Sequence, residues 1–327
     1  MDDRRVLTVS GLCVDYLTAS GPVRAVDSVD LDLAAGEFFG VVGESGSGKS
    51  TLLFAIARLL TPPAEIAAGS VQFLGRDLVH LTRAELRQSR WRDFSVVMQS
   101  AMNALNPVMS LEAQMRDVCD AHGEMSSEET HARSVEVMRL VGIDPIHLRS
   151  YPHQLSGGMR QRAMIAMALL FTPKLVIMDE PTSSLDVVAQ RSLMIQVKRL
   201  QERLGFAVIF VTHDMSLVGG IADRLAVMYA GKLVEVGPTQ DVFSRPLHPY
   251  TRGLLEAFPA IQAVRRRLTG IPGSPPDLAR LDAGCRFASR CPDAVDVCRT
   301  TDPPAEIIEG RSVRCLRVKD WLTHAEQ

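Results

Sequence analysis

The chain has 327 residues, of which 46% are hydrophobic and 23% charged, and its formal net charge is −2. That allows one large domain plus a smaller one with ordinary cores, and it removes any bulk electrostatic case for nucleic-acid binding. No apolar run approaches the roughly 20 residues that span a bilayer, and Met1-Asp2-Asp3-Arg4-Arg5 lacks the apolar segment of a signal peptide, so a cytosolic chain with at most a peripheral membrane role is expected.

Residues 6–36 alternate as strands, first over Val6–Ser10 and again over Val23–Leu33, after a turn at Gly21-Pro22. Tyr16 lies between them, and its ring suits either packing or stacking on a purine. Glu37–Val42 reads as a short buried strand. It runs into Gly43-Glu44-Ser45-Gly46-Ser47-Gly48-Lys49-Ser50, and Thr51–Leu60 then reads as a helix stopping at Pro62-Pro63. Two glycines flanking four residues, followed by Lys and Ser between a strand and a helix, make a phosphate-binding loop. The backbone N–H groups of Gly43, Ser45, Gly46, Gly48 and Thr51 cradle a pyrophosphate at a helix N-terminus, Lys49 reaches the β- and γ-phosphates, and Ser50 ligates Mg²⁺.

Gly69–Arg76 reads as a strand and turn, residues 82–92 as a polar helix, and Phe94–Met98 as a strand ending in Gln99. Asn103–Pro107 is turn-rich, and residues 111–150 are mostly helical, with breaks at Gly123 and Gly142. Ser156 is a natural N-cap for a helix opening on Gly157-Gly158. By themselves these residues fit either a plain capped helix or a second anion site. Lys174–Met178 is a buried parallel strand that delivers Asp179 and Glu180 to its C-terminal end, where ligands bind in open α/β sheets. Asp179 is placed to hold Mg²⁺ through water, and Glu180 to orient or deprotonate an attacking water. Thr182–Asp186 is a loop, a helix follows over Val187–Leu204, and the buried strand Ala207–Thr212 ends in His213, placed toward a γ-phosphate. Residues 225–237 read as a hairpin turning at Ala230-Gly231.

From residue 241 the character changes. Ile271–Pro276 is rich in Pro and Gly, and four of the six cysteines follow: Cys285, Cys291, Cys298 and Cys315. Their separations, by five, six and sixteen residues, match no zinc-finger spacing. In a reducing compartment thiol clusters suit metal more than disulfides. An iron–sulfur cluster, zinc and no metal all stay open.

In this order Gly43–Ser50, Gln99, Leu155–Gly158, Leu175–Glu180, Ser184-Leu185-Asp186 and His213 resemble the Walker A, Q-loop, signature, Walker B, D-loop and H-loop of ABC-transporter ATPase subunits. The likeness covers about residues 5–240 and places Tyr16 where the family has its adenine-stacking aromatic. Gln99–Pro107, Tyr151–Arg162 and His248–Leu255 further resemble the dipeptide/oligopeptide importer branch. Ser100-Ala101 departs from its usual Asp-Pro, and Ser184 from a common Ala.

The resemblance implies an α/β P-loop NTPase core over 5–240, with an N-terminal antiparallel β subdomain and a helical subdomain at about 100–165. Residues 241–327 would form a small cysteine-containing extension. Lys49, Gln99, Glu180 and His213 are the implied catalytic groups, and Ser50, Gln99 and Asp179 the implied Mg²⁺ ligands. Ser156 and Gly158 would act on the nucleotide of an opposite subunit. The implied function is ATP hydrolysis that energises import of di- or oligopeptides. The alternatives are another small solute, such as a nickel chelate, or a non-transport ABC ATPase. The implied partners are a second homologous ATPase, two transmembrane permeases and, indirectly, an extracytoplasmic solute-binding protein, at the cytoplasmic face of the inner membrane and without nucleic acid. Relatives of this branch carry a similar tail, some with a [4Fe–4S] cluster.

Overall fold

The structure is a computed structural model, which describes residues 5–99, 104–123, 125–183, 185–257 and 270–325. Its strands are β1 (Arg5–Thr18), β2 (Gly21–Ala34), β3 (Phe38–Val42), β4 (Ala64–Phe73), β5 (Arg76–Asp77), β6 (Phe94–Val97), β7 (Leu175–Asp179), β8 (Ala207–Thr212), β9 (Arg224–Tyr229), β10 (Lys232–Pro238), β11 (Glu306–Ile308) and β12 (Arg311–Val313). The chain folds as two compact units. One holds Met1–Leu7, Leu33–Phe38 and Phe73–Val211, the other Thr8–Asp32, Phe39–Gln72 and Thr212–Gln327.

In the first unit β6, β7 and β8 form a parallel ladder with β7 in the middle. Phe94 pairs with Leu175, Leu175 with Ala207, and Asp179 with Val211. Every residue of β7 and β8 is buried. A continuous apolar run of this kind is what a parallel strand covered on both faces requires. The helices of this unit start where the sequence supplies caps. Ser110 caps Leu111–Asp120, Ser126 and Glu129 form a capping box on Ser127–Leu140, and Asp186 caps Val187–Leu204. Arg133 donates to the carbonyls of Leu169 and Leu170 at 2.7 and 2.8 Å, tying Ser127–Leu140 to the end of the helix Gly157–Ala168.

In the second unit β1 is flanked by β2 and β4, and the larger sheet runs β11-β12-β10-β9-β3. The β1–β2 connection is Ala19-Ser20, two residues before the expected Gly21-Pro22, and Tyr16 lies inside β1 rather than between strands. The β9–β10 hairpin turns at Ala230 and Gly231, both at positive φ, 46° and 87°. That is the backbone of a tight turn matched to strand twist. The helix after β3 spans Lys49–Ile56, shorter than Thr51–Leu60, because Arg58 takes a left-handed φ of 54° that ends the helical run.

The tail continues the larger sheet. Glu235 of β10 pairs with Val313 of β12, and Leu247, Ile308, Val313 and Val318 form a small core. Glu235 is fully buried. It accepts from the backbone N–H of Leu247 at 3.0 Å and of His248 at 2.9 Å, and it pairs with buried Arg311 at 3.3 Å. His248 then caps the helix Pro249–Glu256, its Nδ1 accepting from the Tyr250 N–H at 3.0 Å.

Burial pushes the His248 imidazole down to about 3, against the upward pull of its bond to the Arg314 backbone. The unfolded chain, with this group near 6.5, therefore takes up the proton first, so the stability held above pH 6.5 is lost as pH falls toward 3. The expected slope is about 1.4 kcal/mol per pH unit. Equilibrium unfolding of the wild type against His248→Asn, which keeps a cap but does not titrate, should show this advantage shrinking between pH 6.5 and 4.5. Parallel pH curves for the two chains would contradict it.

Candidate nucleotide-binding site

The phosphate loop leaves buried β3 and enters the helix Lys49–Ile56 through Gly48, the N-cap residue at φ 102°. Gly43 and Gly48 are required by space as well as conformation. A Cβ at Gly43 would meet the Met228 carbonyl oxygen at 2.1 Å, and one at Gly48 the Ala25 carbonyl oxygen at 2.4 Å. Lys49 is buried, and its ammonium donates to the carbonyls of Gly43 at 2.9 Å and Glu44 at 2.8 Å. It thus folds across the loop, in reach of anything the loop cradles. Ser45 and Gly46 are exposed, while Ser50 and Thr51 are half-buried in the first helical turn. The Tyr16 hydroxyl lies 3.1 Å from Thr51 Oγ1, which sets its ring beside that turn.

In the first unit, Asp179 closes β7 with 2% exposure. Glu180 follows at a left-handed φ of 42°, its N–H donating to the Val211 carbonyl at 3.0 Å. A non-glycine residue in that region is strained, and such strain is found at functional sites. The Gln99 amide donates to Glu180 Oε2 at 2.8 Å, so the structure brings these two predicted residues together. Beyond Gln99, the buried Gln114 holds the loop by accepting from the Asn106 N–H and donating to the Asn106 and Met109 carbonyls. Ser100, Ala101 and Ser184 lie outside the described residues.

Ser156 is exposed and caps the helix Gly157–Ala168, its Oγ accepting from the Met159 N–H at 3.3 Å. A Cβ at Gly158 would meet nothing within 4 Å, so this helix N-terminus is open. His213, in the second unit, follows β8 and is exposed.

Cys285, Cys291, Cys298 and Cys315 line one cavity of about 20 Å³, together with His248 and Trp321. Burial raises the Cys285 thiol and pushes Cys291 and Cys315 each up to about 11. All six cysteines are free. Among the described residues no group of three or more His, Cys, Asp or Glu is placed to hold a metal ion. A cavity of this size has room for about one water. The four thiols share this lining without forming a ligand set, and the iron–sulfur expectation gains no support from it.

Three comparisons with known proteins bear on this geometry. The sequence profile of the ABC transporter family matches residues 26–183, and that of the oligopeptide/dipeptide transporter C-terminal region matches residues 234–298. The oligopeptide transport ATP-binding protein OppD of Escherichia coli is 43% identical, over 97% of this chain and 94% of its own. The chain belongs to the ABC-transporter ATP-binding subunits of the dipeptide/oligopeptide branch. The dipeptide transport ATP-binding protein DppD of Bacillus subtilis is 42% identical over 98% of this chain and 97% of its own. Among solved structures, the dimeric ABC transporter cassette MJ0796 aligns with a TM-score of 0.64 at 28% identity, covering 71% of this chain and 98% of that one. The same cassette has also been solved in a post-hydrolysis state bound to ADP and Pi.

As a member of this ABC branch, the chain is a transport ATPase with an α/β nucleotide-binding core. Among the described residues no helix is long and apolar enough to cross a membrane. The motif residues were legible in the sequence, but Arg290, which grips the phosphate-loop residue Glu44 at 2.6 and 2.9 Å, was not. Nothing in the local sequence links positions 246 residues apart.

Proposed function

We propose that this chain is one of two ATP-hydrolysing subunits that drive import of di- or oligopeptides through a pair of transmembrane permeases. The observation that carries the reading is one chain holding both an ABC cassette and the oligopeptide/dipeptide C-terminal region. In it the ATPase domain spans about 5–240 and the extension 241–327.

Each side chain then has a task. The loop Gly43–Ser50 binds the phosphates, Lys49 neutralises the β- and γ-phosphates, and Tyr16 stacks on the adenine. Ser50, Gln99 and Asp179 would hold Mg²⁺, which supplies charge neutralisation at the phosphates when bound. Glu180, oriented by Gln99, takes the proton of the attacking water, and His213 contacts the γ-phosphate. Ser156 and Gly158 present an open helix N-terminus to the nucleotide of the opposing subunit. Closure of the two ATPases on ATP, and their opening after hydrolysis, would move the permeases. The four-cysteine cavity forms a thiol site outside this cycle. Iron and zinc analysis of anaerobically purified protein decides its occupant: iron with absorption near 400 nm supports a cluster, zinc alone a zinc site, and neither a plain thiol site.

The function is tested by extracting a tagged chain from membranes in mild detergent. Two multi-span proteins and a second ATPase should co-purify, with ATPase activity stimulated by short peptides. Stimulation by a nickel chelate and not by peptides would reassign the solute. A chain recovered with ribosomes or DNA-repair proteins and no membrane partner would overturn the transport reading.

A further inference from the structure

The second unit contains a contact that the ATPase motifs do not use. Glu44 is the second residue of the phosphate loop, and both its main chain and its side chain are held by the C-terminal extension. Its N–H donates to the hydroxyl of fully buried Tyr250 at 2.9 Å. Its carboxylate accepts two bonds from the Arg290 guanidinium, at 2.6 Å to Oε2 and 2.9 Å to Oε1. Such a fork-to-fork pair fixes orientation as well as distance. Arg290 is itself fixed: its side chain is 5% exposed, and it donates to the Pro272 carbonyl at 2.8 Å and the Tyr229 hydroxyl at 3.3 Å.

The far end of the loop rests on the β9–β10 turn, which the extension in turn holds. The Gly231 N–H donates to the Ser47 carbonyl at 2.8 Å, and Arg286 bonds both the neighbouring Ala230 carbonyl and Asp27. Two arginines four residues apart thus support the loop, Arg290 directly at Glu44 and Arg286 through the β9–β10 turn.

The electrostatics give this contact a role in binding. A carboxylate at the second position of a loop that must cradle a polyphosphate is a like charge near its ligand. Glu44 also shares Lys49 with that ligand, because its carbonyl accepts from the ammonium at 2.8 Å. We propose that Arg290 is a positioning residue for ATP: it neutralises Glu44 and holds its carboxylate on the side of the extension, so that the loop presents N–H groups and Lys49 to the phosphates. The inference rests on the ATPase assignment and adds the extension to the nucleotide site.

A merely structural tether and a charge-positioning role differ in what rescues them. With the full chain, ATP titrations should give a dissociation constant about tenfold weaker for Arg290→Ala, a loss equivalent to about 1.4 kcal/mol. The turnover at saturating ATP should change far less than KM. Arg290→Lys, which keeps the charge without the fork, should fall between wild type and Ala. The decisive variant is the double Glu44→Gln, Arg290→Ala chain: with no carboxylate left to neutralise, it should recover most of the lost affinity. A double variant as weak as Arg290→Ala, with the unfolding midpoint of the nucleotide-free chain lowered in both, would reduce Arg290 to a tether and overturn the proposal. Wild-type affinity in Arg290→Ala would also overturn it. A wild-type chain that fails to bind ATP would overturn the ATPase assignment as well, which separates the two failures.

Discussion

Glu180→Gln should bind ATP with little change in affinity and hydrolyse it at least about 100-fold more slowly, the usual loss when a general base is removed. The substitution is chosen for shape. A carboxamide fits where the carboxylate stood, and its oxygen can still accept the Gln99 amide that now sits 2.8 Å away. The backbone is pinned independently of the side chain, by the bond from the Glu180 N–H to the Val211 carbonyl. What is lost is the ability to take a proton from water. A fall in kcat with intact binding therefore reports chemistry and not folding. Rapid-mixing measurement of phosphate release, paired with an ATP titration, reads both. Turnover close to wild type would remove Glu180 as the base and shift attention to His213.

The largest stability effect is expected at Glu235. Glu235→Ala leaves the guanidinium of Arg311, 2% exposed, with only the half-exposed Glu309 as a carboxylate partner, and it strips the acceptor from the Leu247 and His248 N–H groups. The weakened buried pair and the two orphaned N–H groups together cost about 3–5 kcal/mol. The expected result is a drop in Tm of about 10 °C. Glu235→Gln keeps an acceptor for the two backbone N–H groups and loses only the charge, so it should fall between wild type and Ala. Thermal unfolding of the three chains tests the order. An Ala variant within about 1 kcal/mol of wild type, the scale of an exposed ion pair, would show that the pair is dispensable.

The sequence and the fold agree where chemistry imposes local spacing. A phosphate loop needs its glycines, Lys49 and Ser50 within eight residues, and buried strands such as Leu175–Asp179 announce themselves as apolar runs ending in acids. Caps are local too, so Ser156 and Asp186 mark their helices correctly. Legibility fails where the determinant is a single dihedral or a distant partner. The left-handed turn at Arg58 ends a helix that composition would extend, and the strained φ of Glu180 leaves no compositional trace. In the sequence Glu235 is only one charge within the hairpin 225–237, and its partner Arg311 lies 76 residues on. The pairing of Glu44 with Arg290 depends on how the tail folds back, and no periodicity carries that.

The strands β11 and β12 bear on how such subunits can be recombined. Because β12 is hydrogen-bonded to β10, the tail is the finishing strip of the sheet and not a separable appendage. Ending the chain after residue 257 would bare the long edge of β10, with a row of unpaired N–H and C=O groups open to other chains. A chimera that borrows its residues after 257 from a relative would inherit two seams at once. One runs along β10, where Glu235 must find its arginine; the other lies against the phosphate loop, where Glu44 must find its own. Matched halves would behave as one protein, and mismatched halves would fold poorly or bind nucleotide weakly, even with every ATPase motif intact.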